Sequence, residues 1–236
     1  MTPTARVRPA LSAVFLPIVV ILAACQPHSA AVADPAPVST STGTTSSPPL
    51  FLTSKTPVGT NPGSAGDGTP LVAKPGNELA AFAEGCFWGS ENTFRHVDGV
   101  VATAVGYAGG RVAHPTYEDV SSHTTGHAET VLVEFDPTRV SYARLLQAFW
   151  DTHDPTTLNR QGPDEGENYR SEVFTFSPAQ DAAARASLAE EQKHYARPIT
   201  TRIAPIGPFW KAEGYHQQYD EKTGRESCPL PRRKGS

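Results

Sequence analysis

The 236-residue chain contains little sulfur: it has three cysteines and one methionine. The methionine is Met1, and the cysteines Cys25, Cys86 and Cys228 lie far apart in the sequence. None of them belongs to a C-x-x-C pair, which argues against a compact zinc or iron–sulfur site. The histidines near residues 123–127 and 153 also match no compact ligand spacing. We therefore expect no metal.

Basic charge and long apolar runs are also scarce. The formal net charge is −4, so nothing in the charge balance favours a nucleic-acid partner. The apolar stretch 10–24 is short for a transmembrane helix. The composition thus argues against a nucleic-acid-binding protein and against an apolar stretch of full transmembrane length.

The first 25 residues have the pattern of an export signal. Arg6 and Arg8 precede the apolar stretch, which ends Leu22-Ala23-Ala24-Cys25. Small residues leading into a cysteine resemble the lipobox of bacterial lipoproteins. That resemblance implies cleavage before Cys25, its lipidation, and a lipid anchor in the cell envelope. By the same analogy Gln26 favours the periplasmic face of the outer membrane, whereas an ordinary secretory signal is the alternative.

Residues 26–76 are rich in Pro, Ser, Thr, Ala and Gly and carry few charges. Such a segment cannot bury a core, so we predict a disordered tether between the membrane and a folded domain. A flexible chain of this length reaches roughly 40 Å. The folded domain is predicted over residues 77–236, with a mobile C-terminal tail that contains Cys228.

Within 77–236, strand and helix patterns are mixed. The clearest strand is 127–135, in which Glu129, Val131, Val133 and Phe135 share one face. Helices are predicted after Ser141 and after Ser177, two residues that suit the N-cap position. We therefore predict an α+β domain, a two-layer α/β sandwich with a mixed sheet.

The stretch Gly85-Cys86-Phe87-Trp88-Gly89 lies between a predicted strand and a predicted helix. A cysteine at such a turn is close to free backbone N–H groups and to the positive end of the helix dipole, which favour its reactive thiolate. The flanking glycines permit a tight turn and the close approach of another molecule. The alternative is a buried structural cysteine.

Two further features are open to more than one interpretation. Glu129 lies at the end of an apolar strand face, so it is either a buried carboxylic acid with a raised pKa or simply exposed to water. The polar loop 153–169 is either functional or a solvated connector. His114 to Tyr117 is expected to be a loop.

Taken together, the motifs of this chain resemble those of the A-type peptide methionine sulfoxide reductases. They occur in that family's order over about residues 79–228, and they are GCFWG, GYAGG, HPTYEDV, TGHAE, FWDTHDPTTLNRQG, NYRS and EGYHQQY. The combination is highly specific, although each motif alone is weak. The resemblance implies reduction of methionine-S-sulfoxide, free or in oxidised proteins, without a metal or an organic cofactor.

The resemblance also implies roles for individual residues. Cys86 matches the nucleophile, which becomes a sulfenic acid, and Glu129 matches the acid that protonates the sulfoxide oxygen. Tyr117 and Tyr169 match the phenols that bind the sulfoxide oxygen, and Asp164 matches a further polar group at the site. Phe87 and Trp88 match the aromatic walls of the pocket for the methyl group. Cys228 matches the resolving cysteine. A thioredoxin-like dithiol, or a membrane thiol relay, would reduce the Cys86–Cys228 disulfide.

Departures from the family pattern are modest. They are His114, Pro163 and the Glu167-Asn168 pair, and we expect them to tune substrate preference without abolishing activity. We expect a monomer. The alternative from another class is a non-enzymatic envelope lipoprotein in which a Cys86–Cys228 bond is structural.

Overall fold

The structure is a computed structural model that describes residues 57–66, 68 and 70–225. The predicted signal segment, Cys25, the first part of the tether, and Cys228 lie outside these described residues. None of the helices within them is long and apolar enough to span a membrane.

A six-stranded sheet forms the centre of the domain, with the strand order β7-β6-β1-β3-β2-β8. The strands β6 and β7 are parallel, and the other neighbouring pairs are antiparallel, so the sheet is mixed as predicted. The strands are β1 (Glu78–Glu84), β2 (Val100–Ala108), β3 (Ala128–Phe135), β6 (Ser171–Thr175), β7 (Arg202–Pro205) and β8 (Trp210–Lys211). A separate two-stranded hairpin is formed by β4 (Arg160–Gln161) and β5 (Asp164–Glu165).

The helices form the second layer of the predicted α+β sandwich. They are α1 (Phe87–Arg95), α2 (Tyr117–Ser121), α3 (Tyr142–Thr152), α4 (Pro178–Gln192) and α5 (Tyr219–Thr223). Buried side chains of α1, α3 and α4 join those of one sheet face in the main hydrophobic core. The start of α1 and the beginning of β3 both lie beside this core, and they carry the two central groups of the site.

The predicted alternation along β3 is confirmed. Val131, Val133 and Phe135 belong to the core between sheet and helices, whereas Leu132 belongs to a second cluster on the opposite face. Because successive side chains of a strand point to opposite faces, Glu129 lies on the helix-covered face, where it is 2% exposed. The burial of Glu129 follows from its position within this strand.

The predicted boundary of the tether is wrong for its last part, because residues 57–66 pack on the sheet. Gly59 exchanges backbone hydrogen bonds with Val101 and Thr103 beside β2. The N–H of Gly63 donates to the buried carboxylate of Glu134, which also accepts from the N–H of Lys74. This segment buries few apolar groups and is held mainly by polar contacts, so its composition did not predict that it was ordered.

The helix starts agree with their predicted caps. The hydroxyls of Ser141 and Ser177 each accept a backbone hydrogen bond at the start of α3 and α4. The predicted loop around Tyr117 is wrong, because Tyr117 opens α2. Thr116 and Asp119 form a capping box there, which satisfies the free N–H groups of this short helix.

Candidate active site

Cys86 lies at the turn from β1 into α1, directly before the first residue of the helix. Gly85 has a φ of +105°, and a Cβ added to it would lie 2.6 Å from the side chain of Gln161. Only glycine fits this turn without strain, because L-residues rarely adopt that conformation and the space is occupied. Among the described residues Cys86 is a free, partly buried cysteine.

The thiol of Cys86 is neutral at physiological pH. Burial raises its pKa to about 12, and Glu129 and Asp164 act in the same direction when they are ionised. The backbone N–H groups of Trp88 and Gly89 lower it, as predicted for a helix start, but their effect is smaller. The prediction that this turn favours the thiolate is therefore wrong in its net sign, because burial and two nearby acids outweigh the helix terminus.

Glu129 is a buried acid beside Cys86. Its Oε2 accepts a hydrogen bond of 3.1 Å from the backbone N–H of Phe87, and its Oε1 accepts one of 3.4 Å from Nδ2 of Asn168. Burial raises its pKa to about 8, against the lowering effect of these two donors, and the charge of Asp164 raises it further. Of the two interpretations left open by the sequence, the buried carboxylic acid is confirmed.

The structure brings Tyr117, Tyr169 and Asp164 to the same place. Tyr117 opens α2, while Asp164 and Tyr169 come from the polar loop, in β5 and in a short 3-10 helix, Glu167–Tyr169. Burial raises the pKa of both phenols, and the charges of Glu129 and Asp164 add to this rise. These mutual electrostatic effects show that the two phenols and Asp164 lie near Cys86 and Glu129.

The two aromatic residues after Cys86 have different environments. Phe87 is 1% exposed and packs in the core near Tyr107 and His216, at centroid distances of 6.0 and 5.1 Å. Trp88 is half-buried, and its ring stacks on Tyr219 at 3.8 Å. The assignment of both rings to a methyl pocket stays a prediction, and in the structure Trp88 presents more surface than Phe87.

Sequence reasoning missed the part played by the segment 213–219. The carboxylate of Glu213 accepts hydrogen bonds of 2.9 Å from the Tyr107 hydroxyl and from the backbone N–H of Tyr117. Nδ1 of His216 accepts a hydrogen bond of 3.0 Å from the indole N–H of Trp88. Because an indole can only donate, this nitrogen is unprotonated, and burial also lowers the pKa of His216.

These contacts hold the aromatic groups of the site in place, although they join residues about a hundred positions apart. The EGYHQQY motif was the only signal for them. It marked the segment without indicating which groups it contacts.

The C-terminal segment lies close to the same site. Buried Glu91 in α1 accepts hydrogen bonds from the backbone and side chain of Gln218, and Arg95 pairs with Glu221 at 2.6 Å. Arg225, the last described residue, is near enough to Asp164 to act on its pKa, opposing the rise caused by burial. The predicted resolving residue, Cys228, follows three positions later and lies outside the described residues.

No group of three or more metal-ligating side chains occurs in the part of the chain that the structure describes. What the geometry offers is a thiol, a protonated carboxylic acid within the same small space, and two phenols with an additional carboxyl. This combination suits proton-assisted attack of sulfur on a polar, oxygen-bearing electrophile.

Comparison with known proteins agrees with this chemistry. The family model described as peptide methionine sulfoxide reductase matches residues 78–235. The chain is 60% identical over 153 residues to a peptide methionine sulfoxide reductase MsrA of Geobacter sulfurreducens, covering 64% of this chain and 94% of the relative. It is 45% identical over 192 residues to peptide methionine sulfoxide reductase A2 of Arabidopsis thaliana, covering 76% of this chain and 88% of the relative.

Two solved structures have the same architecture. Methionine sulfoxide reductase A of Corynebacterium diphtheriae is 35% identical, with a TM-score of 0.61 and coverage of 73% of this chain and 89% of that one. Mxr1 of Saccharomyces cerevisiae in its reduced form is also 35% identical, with a TM-score of 0.63 and coverage of 66% and 91%. The match of the family model to most of the chain, together with these relatives, shows that the chain belongs to the peptide methionine sulfoxide reductase family, A type.

Proposed function

We propose that this chain reduces methionine-S-sulfoxide, free or in oxidised proteins, through attack by Cys86 assisted by Glu129, and so repairs proteins under oxidative stress. The observation that carries the proposal is the position of a buried carboxylic acid beside the cysteine. Glu129 has a pKa of about 8, so it holds a proton at neutral pH and can donate it. A sulfoxide sulfur becomes a better electrophile when its oxygen accepts that proton.

In the proposed first step, the sulfur of Cys86 attacks the sulfoxide sulfur while Glu129 gives its proton to the oxygen. The oxygen then moves to Cys86, which releases methionine and leaves a sulfenic acid. The thiol is oxidised by two electrons and the sulfoxide is reduced by two, and the thiol proton restores Glu129. No metal and no organic cofactor takes part.

The raised pKa of Cys86 fits this order of events. At neutral pH both groups are protonated, so neither suffers the repulsion that two adjacent negative charges would cause. When the bound sulfoxide takes the proton of Glu129, the resulting carboxylate can accept the thiol proton. Cys86 therefore loses its proton during the chemical step itself. Tyr117, Tyr169 and Asp164 are proposed to bind the sulfoxide oxygen, and Phe87 and Trp88 to bound the pocket for the methyl group.

In the proposed second step, the thiol of Cys228 attacks the sulfenic acid, which forms a Cys86–Cys228 disulfide and releases water. Cys228 lies three positions after Arg225, a span of at most about 11 Å. Since Arg225 already acts on Asp164, this distance supports access of Cys228 to the site. A thioredoxin-like dithiol, or a membrane thiol relay, then reduces the disulfide by exchange.

We further propose that the chain works in the cell envelope, anchored through a lipidated Cys25. The support is the sequence alone: a basic start, an apolar stretch and small residues before the cysteine. Mass spectrometry of the mature N-terminus tests this proposal. It should find a diacylglyceryl group on Cys25, and an unmodified N-terminus at another residue would contradict lipidation.

Replacement of each cysteine in turn tests the reaction. Cys86→Ser should abolish reduction of methionine-S-sulfoxide with dithiothreitol as the donor. Cys228→Ser should keep the first turnover but lose turnover driven by a thioredoxin. Retained dithiothreitol-driven activity in Cys86→Ser would refute the assignment of the nucleophile, and normal cycling of Cys228→Ser would refute that of the resolving residue.

A further inference from the structure

Asn168 is a buried amide that links the acid of the site to one of its phenols. It is 1% exposed, and its Nδ2 lies 3.4 Å from Oε1 of Glu129. The same side chain is close enough to the Tyr169 hydroxyl to lower the pKa of this phenol, against the larger effect of burial. An amide NH₂ group carries two hydrogens, so it can serve both neighbours.

The oxygen of the same amide is held from the other side. Oδ1 of Asn168 lies 2.6 Å from Nδ1 of His123. Because an amide oxygen can only accept, Nδ1 of His123 must carry the hydrogen. In this orientation the NH₂ group of the amide faces Glu129 and can donate to its carboxyl.

The backbone around His123 is arranged for this contact. His123 has a φ of +61°, a left-handed conformation that costs free energy in a residue other than glycine. Gly166 has a φ of +145°, and a Cβ added to it would lie 2.3 Å from Nδ1 of His123. The turn after α2 and the loop before Asn168 therefore both adopt conformations that bring the imidazole against the amide.

We propose that His123 and Asn168 act as a positioning pair, which orients the carboxyl of Glu129 and the hydroxyl of Tyr169 and stabilises the ionised form that Glu129 adopts after it donates its proton. The inference rests on the proposed function, in which Glu129 is the acid. The ring of His123 lies 6.5 Å from that of Tyr169, but it reaches Glu129 through Asn168, so its effect on the acid should vanish when Asn168 is absent. The sequence assigned no role to His123, and it marked Asn168 only as one of the departures expected to tune substrate preference.

The pair is one of several influences on Glu129. The donors on the carboxyl are the N–H of Phe87 and the amide of Asn168, and both lower its pKa against burial. The other titratable groups that act on this site come from the turn before α1, from β2, from α2 and from the polar loop, and they are Cys86, Tyr107, Tyr117, Asp164 and Tyr169. Loss of the amide donor removes one lowering influence and leaves all the others in place.

The test is a double-mutant cycle of His123→Ala and Asn168→Leu, read out by the pH dependence of single-turnover reduction of methionine sulfoxide. Asn168→Leu should lower the maximal rate. It should also move the alkaline limb of the pH–rate profile to a higher pH by about one unit, because a donor to the carboxylate is lost. His123→Ala should move it in the same direction by less. In the Asn168→Leu background, His123→Ala should add nothing.

Asn168→Asp provides a second variant of nearly unchanged shape, which keeps an acceptor for His123 but replaces the NH₂ donor by a carboxyl. It should move the alkaline limb at least as far as Asn168→Leu. His96→Ala is the matched control, because His96 is exposed at the end of α1 and its Nδ1 contacts the carbonyl of Asn92 in that helix. This control should leave the profile unchanged.

Alkylation of Cys86 by iodoacetamide gives a readout that needs no catalysis, in protein with Cys25 and Cys228 replaced by Ala. An ionised Glu129 suppresses the thiolate of Cys86, so variants that keep Glu129 protonated should be alkylated faster between pH 8 and 9. Two results would overturn the pair even in a fully active enzyme. One is an equal effect of His123→Ala with and without Asn168→Leu. The other is an unchanged alkaline limb and an unchanged alkylation rate in Asn168→Leu. A wild-type protein without reductase activity would instead count against the proposed function alone.

Discussion

The backbone N–H of Phe87 donates a hydrogen bond of 3.1 Å to Oε2 of Glu129. Phe87 directly follows Cys86 and is the first residue of α1, so the start of this helix holds the acid as well as the cysteine. A free N–H group at a helix start needs an acceptor, and here a carboxyl from β3 supplies it. The separation between proposed nucleophile and proposed proton donor is thus set by two rigid elements.

Glu129→Gln should lower the rate of sulfoxide reduction by about 10² to 10⁴, because an amide accepts the Phe87 N–H but cannot donate a carboxylic proton. The measurement is the single-turnover rate at pH 7 with reduced enzyme. Glu78→Gln, an exposed change at the start of β1, is the matched control and should react like the wild type. A Glu129→Gln variant with more than a tenth of the wild-type rate would contradict the role of this acid.

The single-turnover rate should fall as the pH rises through about 8. The active form carries a protonated Glu129, whose pKa is raised by burial to about 8, so deprotonation removes the proton donor. It also adds a negative charge beside Cys86, which further disfavours the thiolate. A rate that keeps rising between pH 8 and 9.5, as for a simple thiol nucleophile, would be inconsistent with this order of protonation.

Glu84 lies directly before Gly85, in the last position of β1, and its burial should make the stability of the protein depend on pH. Burial raises its pKa from 4.5 to about 8, against hydrogen bonds from Ser90 and Thr152. The folded state therefore binds more protons than the unfolded state between these values, so the free energy of unfolding should fall as the pH rises from about 5 to 8.

Glu84→Gln should reduce this fall by roughly a few kcal/mol, because the amide cannot ionise. Urea unfolding at pH 5.5 and 8.5 measures the difference, with Glu78→Gln as the exposed control. If Glu84→Gln and the wild type lose the same stability between the two pH values, the protonated state of Glu84 at neutral pH is refuted.

Removal of residues 26–76 should destabilise the domain, whereas removal of residues 26–56 should not. The longer deletion takes two backbone donors from buried Glu134 and two backbone carbonyls, those of Val58 and Gly59, from Arg95. Unsatisfied buried charges of this kind cost about 3 kcal/mol or more. Urea unfolding of the two truncated proteins gives the comparison, and equal stabilities would show that residues 57–76 do not support the fold.

Local patterns predicted the parts of the fold that depend on local physics. The alternation along β3 placed Glu129 on the core side, and the hydroxyls of Ser141 and Ser177 marked the starts of α3 and α4. The glycines around Cys86 predicted the tight turn. These features follow from strand periodicity and helix capping, which involve residues close in sequence.

Features that arise from long-range contacts were not predictable in this way. The sign of the Cys86 pKa shift depends on burial and on the charges of Glu129 and Asp164, which come from other elements. Likewise, Glu213 binds two tyrosine-bearing elements about a hundred residues away. The composition of residues 57–66 also gave no sign that their backbone N–H groups and carbonyls pair with buried charged side chains.

The most direct test of the account is to trap the sulfenic acid that forms when the substrate oxygen moves to the protein. Reduced enzyme with Cys25→Ala and Cys228→Ser is mixed with methionine-S-sulfoxide without a reductant, and dimedone is added to trap any sulfenic acid for mass spectrometry. The account predicts one methionine released per enzyme molecule, with the dimedone adduct on Cys86. Methionine release with Cys86 unmodified, or no methionine from a folded enzyme, would contradict it.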